Sequence, residues 1–315
     1  MVQILKNYLV RLGPDHWLVR CAVKVRAMIG GSHLIFDGAK IIISKRNREL
    51  VLNRAQFVQI PAMLASFGVF FDALIPDELE GRMRLDFSEP RLHRYSRSNV
   101  AFIFPSIPEE GQLEAYTHTY VPRAGDIVWD VGAHAGATTY FLSKMVGESG
   151  RVYAFEPDET NFEYLRRNID LHRLNNVVPV KKALAEFSGM ARFNMDGTMC
   201  AGLSEFLIYS DKQFEHEVET ISFEAACASL GCVPNYVKMD IEGAEVAVIH
   251  GAMDFLRANA VRFAIESFHV LNGEYTYKPL EGLFRQIGYA VNSSDMFGQM
   301  FTWAQPDGTS AAGTD

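Results

Sequence analysis

The sequence predicts an α/β fold, an open and mostly parallel sheet preceded by an N-terminal α+β extension. Three observations predict it. Strand-like runs at 126–131, 151–156, 177–180, 236–240 and 261–266 alternate with helical patterns, the order that builds a parallel sheet. The first of these runs passes through a glycine turn, Asp130 to Gly136, into a helical pattern from Ala137 to Val146. The chain has 315 residues, 48% apolar and 22% charged, enough for a sizeable core in one large domain or in a core domain with an appendage.

The elements follow in order. Residues 1–29 read as helical, broken at Gly13-Pro14 and ended by Gly30-Gly31. Leu34 to Ser44 and Leu50 to Val58 read as short strands around the charged turn Lys45 to Arg48. Pro61 to Leu74 reads as helix, and Arg84 to Phe104 is mixed, ending in the apolar run Val100 to Phe104. A Pro-rich loop at 105–111 and a short helix, Leu113 to Tyr120, lead to the first core strand. A β insertion is expected over 189–222, helices over 243–256 and 278–287, and a closing pair of strands at 288–293 and 297–304. The domain boundaries expected are therefore 1–112 for the extension, for acceptor binding or oligomerisation, 113–305 for the main domain and 306–315 for a disordered tail.

Charge and cysteine content narrow the function classes. The net charge of −8 argues against general nucleic-acid binding. Residues 1–54 nevertheless carry ten Lys/Arg against three acids, +7, which reads first as a solvated face and a charged hairpin. Cys21, Cys200, Cys227 and Cys232 have neither zinc nor C-x-x-C spacing, and free thiols in a cytoplasmic protein are expected. The Phe57 to Ile75 stretch is interrupted by Gln59, Pro61, Ser66, Gly68 and Asp72, so no transmembrane segment is expected.

The chemistry concentrates at the strand ends. Asp130-Val131-Gly132-Ala133-His134-Ala135-Gly136 is a strand–turn–helix junction, where backbone N–H groups approach a ligand closely. The next strand ends in Glu156-Pro157, an acid placed to accept the two hydroxyls of a ribose. The turn lacks the G-x-G-x-x-G of a nicotinamide site, and an acid facing it repels a pyrophosphate. A cationic, amino-acid-bearing nucleoside suits it better, which points to S-adenosylmethionine. Asp130 would meet the methionine ammonium directly or through water, and Gly132 and Gly136 would admit the backbone. His134 stands where a third glycine is common, either covering the ligand or capping the helix.

These residues resemble the FkbM-type methyltransferases. The resemblance rests on Asp130 to Gly136, on Ala154-Phe155-Glu156-Pro157 with Asn161, and on Lys238-Met239-Asp240-Ile241-Glu242-Gly243-Ala244-Glu245, with matching spacing, across about residues 120–305. It implies the class I methyltransferase Rossmann-like seven-stranded sheet, with one antiparallel strand at 297–304. It also implies S-adenosylmethionine-dependent transfer, mostly O-methylation of sugars or polyketide-type natural products. In such folds Lys182-Ala183-Leu184 falls where adenine is contacted, and Ala183 is the expected backbone contact.

Methyl transfer to a hydroxyl needs alignment, exclusion of water and removal of a proton. Asp240 ends the fourth core strand, and Lys238, Asp240 and Glu242 alternate, so a strand would carry them on one side. Asp240 is a candidate for cofactor binding and catalysis, although carboxylates are also favoured at the start of a helix. Glu266 and His269 follow the next strand, and an acid followed shortly by His recurs in the family. His269 is the first candidate base and Glu266 its orienting partner or a substrate ligand. Glu114, Tyr116 and His118 either line the acceptor pocket or form a surface group. No His/Asp/Glu set has the spacing of a metal motif, so no metal is expected, although a divalent ion on Asp240, Glu242 or Glu266 stays open.

The partner expected is a small-molecule acceptor, a sugar or natural-product hydroxyl, with homo-oligomerisation left open. The competing readings are N-methylation of an amine, a nicotinamide dehydrogenase, and a non-catalytic methyltransferase-like module. The turn sequence disfavours the dehydrogenase, and the retained Asp130, Glu156 and Asp240 disfavour the inert module.

Overall fold

A computed structural model describes residues 17–108, 113–194, 202–203, 215–271 and 273–307. The chain divides into two compact units, Met1–Glu110 and Gly111–Asp315. The expected tail lies outside the described residues except for Pro306 and Asp307, as does the helical reading before Trp17.

The first unit opens with α1 (Trp17–Ile29), which stops at the expected glycines, Gly31 taking a φ of 71°. Strands β1 (His33–Asp37), β2 (Lys40–Lys45) and β3 (Arg48–Asn53) then form an antiparallel meander. The run expected as one strand, Leu34 to Ser44, is two strands, because Gly38 takes a φ of 54° and turns the chain. The second expected strand stops at Asn53, whose side chain accepts from the Gln56 N–H at 3.1 Å and caps a 3₁₀ helix, Arg54–Gln59. The helix expected from Pro61 to Leu74 is two, α2 (Ile60–Ala65) and α3 (Phe67–Ala73). Strands β4 (Asp77–Leu79) and β5 (Arg82–Asp86) complete a five-stranded sheet, and β6 (Arg91–Arg94) pairs with β7 (Ala101–Phe104). The buried Glu49 binds Arg82 and Arg84 at 2.9 and 2.6 Å, and Lys40, from the basic stretch, pairs with Asp86 and Glu89 at 3.4 and 3.3 Å.

The second unit begins with one helical turn, α4 (Leu113–Tyr116), shorter than expected. Its centre is built from β8 (Ile127–Val131), α5 (Ala137–Val146), β9 (Arg151–Phe155), α6 (Glu159–His172) and β10 (Val177–Val180). A small sheet follows, from β11 (Ala183–Ala185), β12 (Gly189–Asn194), β13 (Gly202–Leu203) and β14 (Glu215–Ser222), where the β insertion was expected. The chain then runs through α7 (Phe223–Leu230), β15 (Tyr236–Met239), α8 (Glu245–Ala258) and β16 (Arg262–Glu266). Two short strands, β17 (Val270–Leu271) and β18 (Glu274–Tyr275), precede α9 (Tyr277–Gln286) and the hairpin β19 (Tyr289–Met296) and β20 (Gln299–Pro306). The main sheet has seven strands in the order β10-β9-β8-β15-β16-β20-β19. Pairing is parallel from β10 to β16, and β20 runs antiparallel to β16.

The sheet is buried on both faces, which is why its strands read as continuous apolar runs. Trp129, Phe155, Val237, Met239, Phe263 and Ile265 face one core. Val128, Val152, Ala154, Tyr236 and Ala264 face the other. By the two-residue period, Asp130 and Lys238 fall on the Val128 and Tyr236 side, as register partners on neighbouring strands. Among the described residues no helix is long and apolar enough to cross a membrane, and Cys21, Cys227 and Cys232 are free thiols.

Candidate functional site

The strand order reverses beside β8, and the glycine turn leaves the carboxyl end of that strand, the place where open α/β sheets hold ligands. Gly132 has a φ of 79°, and a Cβ there would lie 1.8 Å from the Asp240 carbonyl oxygen. Gly136 has a φ of 86°, and a Cβ would meet Leu165 Cδ1 at 2.6 Å. Both glycines therefore bring chain against chain: the β8 turn against the end of β15, and the start of α5 against α6. His134 takes a φ of 47°. Its N–H donates to Glu156 Oε2 at 2.8 Å, so its backbone holds the acid of the next strand.

Glu156 is buried, and its other oxygen accepts the Asp158 N–H at 2.9 Å. Burial, and then Asp158, raise its carboxyl to about 7. Glu156 lines a cleft together with Gly132, Pro157, Ala183 and Asp240. Leu184, Phe193, Ile241 and Ala244 give the cleft apolar walls. Phe193, from β12, carried no signal in the sequence.

Asp130, His134 and Gly136 do not line this cleft. The Asp130 side chain is fully enclosed; Lys238 Nζ lies 3.1 Å from its Oδ1, and Thr139 Oγ1 donates to its Oδ2 at 2.5 Å. Lys238 also donates to the Gly132 carbonyl at 2.6 Å. The cation that the sequence pattern set beside Asp240 and Glu242 is thus directed to Asp130, where it locks the glycine turn.

Asp240 follows β15 and Glu242 departs from the strand alternation, with a φ of 57°. That left-handed backbone turns the chain into α8. Glu245, at the first position of α8, is fully enclosed; its Oε1 accepts the N–H groups of Ile241 at 3.1 Å and Gly243 at 3.2 Å. The same oxygen lies 3.1 Å from His269 Nδ1. Burial alone would raise the Glu245 carboxyl, but His269 and the Gly243 N–H outweigh it and hold it below the usual carboxylate range. Glu245 falls within the helix expected over 243–256. An acid in a helix's first turn is the signal of a carboxylate folded back onto free N–H groups.

His269 Nε2 faces Glu242 Oε2 at 3.5 Å and Asp240 Oδ1 at 3.9 Å. Burial works against its imidazolium, but Glu245, then Glu242 and Asp240, outweigh it and hold its pKa well above the ordinary histidine value. Glu266 is buried and accepts from Tyr116 Oη at 2.8 Å. Burial, and then Asp240, push its carboxyl well above the usual range. Tyr116 thus belongs to the site, whereas the His118 ring packs against Trp303, 4.8 Å away. The structure brings Asp240, Glu266 and His269 together and gives Asp240 a place in both the cleft and this cluster. Ligand atoms of Asp240, Glu242 and His269 lie within 4.8 Å of one another, a set that chain spacing concealed because it joins the ends of two strands.

The sheet order, with its cleft at the carboxyl ends of β8, β9 and β15, defines a class I methyltransferase fold. The model of the Methyltransferase FkbM domain matches residues 130–296, more than half of the chain. The chain belongs to this family. It is 30% identical over 146 residues to the hexuronic acid methyltransferase AglP of Haloferax volcanii, covering 46% of this chain and 56% of that protein. It is similar to the crystal structure of methyltransferase FkbM from Methylobacillus flagellatus, at 18% identity and a TM-score of 0.42, covering 61% of this chain and 47% of that one. It is also similar to that of an S-adenosylmethionine-dependent O-methyltransferase from Thermotoga maritima, at 13% identity and a TM-score of 0.41, covering 70% and 78%. The chain spans about half the length of the curated relatives it matches.

Proposed function

We propose that the protein transfers a methyl group from S-adenosylmethionine to an oxygen of a sugar or glycoside. The observation that carries this reading is Glu156, a carboxylate fixed by two backbone N–H groups at the wall of the cleft that Asp240 also lines. The residues fit the cofactor. Glu156 keeps lone pairs for two ribose hydroxyls, Leu184 and Ile241 offer apolar surface to a base, and Gly132 leaves the cleft wall without a side chain. Bound S-adenosylmethionine would supply a methyl group on a sulfonium, already an activated leaving group.

The chain's own residues would do the rest. Asp240 stands where the cofactor cleft meets the Glu242–Glu266–His269 cluster and is the proposed acceptor of the hydroxyl proton. His269, with Glu245 behind Nδ1 and with Asp240 and Glu242 before Nε2, orients these carboxylates. Glu266, whose carboxyl burial and Asp240 raise, would contact an acceptor oxygen beside Tyr116. Ala183 and Leu184 border the cleft where the family resemblance puts adenine, and His134 acts through its N–H on Glu156. Asp130 acts from inside the fold, holding the turn through Lys238.

The AglP relative is named for a hexuronic acid, a sugar that offers both hydroxyl and carboxylate oxygens to a methyl donor. Transfer of labelled methyl to hexuronic acids, neutral sugars and small amines tests the acceptor class. Label on the sugars, stable to mild alkali, supports O-methylation of a hydroxyl. Alkali-labile label means an ester, and label on amines alone would replace this reading with N-methylation.

A further inference from the structure

Three side chains at the carboxyl ends of β15 and β16 are arranged for a task that methyl transfer alone does not require. We propose that Asp240, Glu242 and His269 Nε2 form a binding site for a divalent cation, of the Mn²⁺, Mg²⁺ or Fe²⁺ type. The inference deepens the methyltransferase reading and rests on it for its purpose, though not for its geometry.

Distance comes first. Nε2 lies 3.5 Å from Glu242 Oε2 and 3.9 Å from Asp240 Oδ1, and one ligand atom from each of the three residues falls within 4.8 Å of the others. Ligands about 2.0–2.2 Å from one octahedral ion stand roughly 3 Å apart when adjacent and about 4 Å apart when opposite.

The imidazole is the second, independent observation. The His269 side chain is 9% exposed, its Nε2 points at two carboxylates, and neither ring nitrogen makes a hydrogen bond of good geometry. A buried ring nitrogen without a hydrogen bond is costly unless it has another partner. Its other nitrogen, Nδ1, lies 3.1 Å from the fully enclosed Glu245, which the N–H groups of Ile241 and Gly243 fix in place. A carboxylate behind one ring nitrogen, with the other facing outward, is the arrangement found behind metal-binding histidines.

Charge and access agree. Lys238, two residues from Asp240, is engaged by Asp130 and the Gly132 carbonyl. Asp240 and Glu242 keep 30% and 24% of their side-chain surface open, which leaves an entry path and sides free for water or an acceptor oxygen. Two carboxylates with one imidazole are hard and borderline ligands, and the set has no thiolate that would select zinc or copper(I). An ion held there would lower the pKa of an acceptor hydroxyl and bridge an acidic sugar to an acidic site.

The test is titration of the full chain with Mn²⁺, followed by loss of the free-ion EPR signal, beside a separate titration with S-adenosylhomocysteine. The expected result is one Mn²⁺ per chain, bound at least tenfold more weakly by Glu242→Gln and by His269→Ala, and about tenfold more weakly by Glu245→Gln acting through Nδ1. Glu242→Gln changes a partly open side chain, so retained S-adenosylhomocysteine binding shows that this variant is folded. A chain that binds S-adenosylhomocysteine but no Mn²⁺ or Mg²⁺ overturns the proposal, as does Mn²⁺ binding unchanged by Glu242→Gln and His269→Ala. Localised Mn²⁺ binding without S-adenosylhomocysteine binding upholds the cation site and removes the cofactor reading.

Discussion

Lys238 Nζ stands 3.1 Å from Asp130 Oδ1, both side chains enclosed between neighbouring strands. The pair joins β8 to β15 beneath the glycine turn, and a buried charge left without its partner is strongly destabilising. Asp130→Ala is therefore expected to cost about 3–5 kcal/mol. Adding Lys238→Met should recover most of that loss. Urea unfolding of the three variants checks it, and a single-variant cost below about 1 kcal/mol would show that the pair is not the lock described.

Gly132 is fixed by a neighbour on the next strand. Any Cβ at 132 would lie 1.8 Å from the Asp240 carbonyl, on a backbone with a φ of 79°. Gly132→Ala should lose at least about 2 kcal/mol, from left-handed strain and overlap together. It should also weaken S-adenosylhomocysteine binding, because it pushes Asp240 out of the cleft. Calorimetry and thermal unfolding of the variant measure both effects.

Glu156 makes cofactor affinity depend on pH. Its carboxyl is raised to about 7, and ribose hydroxyls donate best to the ionised form. Affinity for S-adenosylhomocysteine should rise between about pH 6 and pH 8, with proton release on binding near the middle of that range. Stability has the opposite sign. The folded state holds this proton above the ordinary carboxylate range, so the contribution is full at acid pH and is lost as pH rises through about 7. Glu156→Gln should flatten the affinity profile and weaken binding roughly 10–100-fold, the worth of hydrogen bonds to a charged group. Titrations in buffers of different ionisation enthalpy read the released proton directly.

Asp240→Asn keeps the shape of the cleft and removes the proposed proton acceptor. The single-turnover rate should fall by about 10²-fold or more. Binding of S-adenosylhomocysteine should change by less than about tenfold, because the amide preserves the side chain's volume and polarity. Equal losses in rate and binding would place Asp240 in binding alone.

The fold of the second unit was legible because its strands are buried on both faces and alternate with helices. Where a turn rested on one residue, as at Gly38 in the first unit, the apolar run concealed it. The cleft acid Glu156 was legible from its distance to the glycine turn. The partner of Asp130 was not, since Lys238 lies 108 residues away and meets it only through sheet register. The role of Glu245 escaped for the same reason, and Tyr116 stayed open between pocket and surface. Their roles arise where α8 and α4 bring them to His269 and Glu266, and no local pattern records those meetings.

The central claim is that the carboxyl ends of β8, β9 and β15 hold S-adenosylmethionine. Isothermal titration of the full chain with S-adenosylhomocysteine tests it most directly. One molecule bound per chain, with binding largely abolished by Glu156→Ala in a variant that unfolds like the parent, is the predicted result. A folded chain that takes up no S-adenosylhomocysteine, or one whose affinity ignores Glu156→Ala, would contradict it.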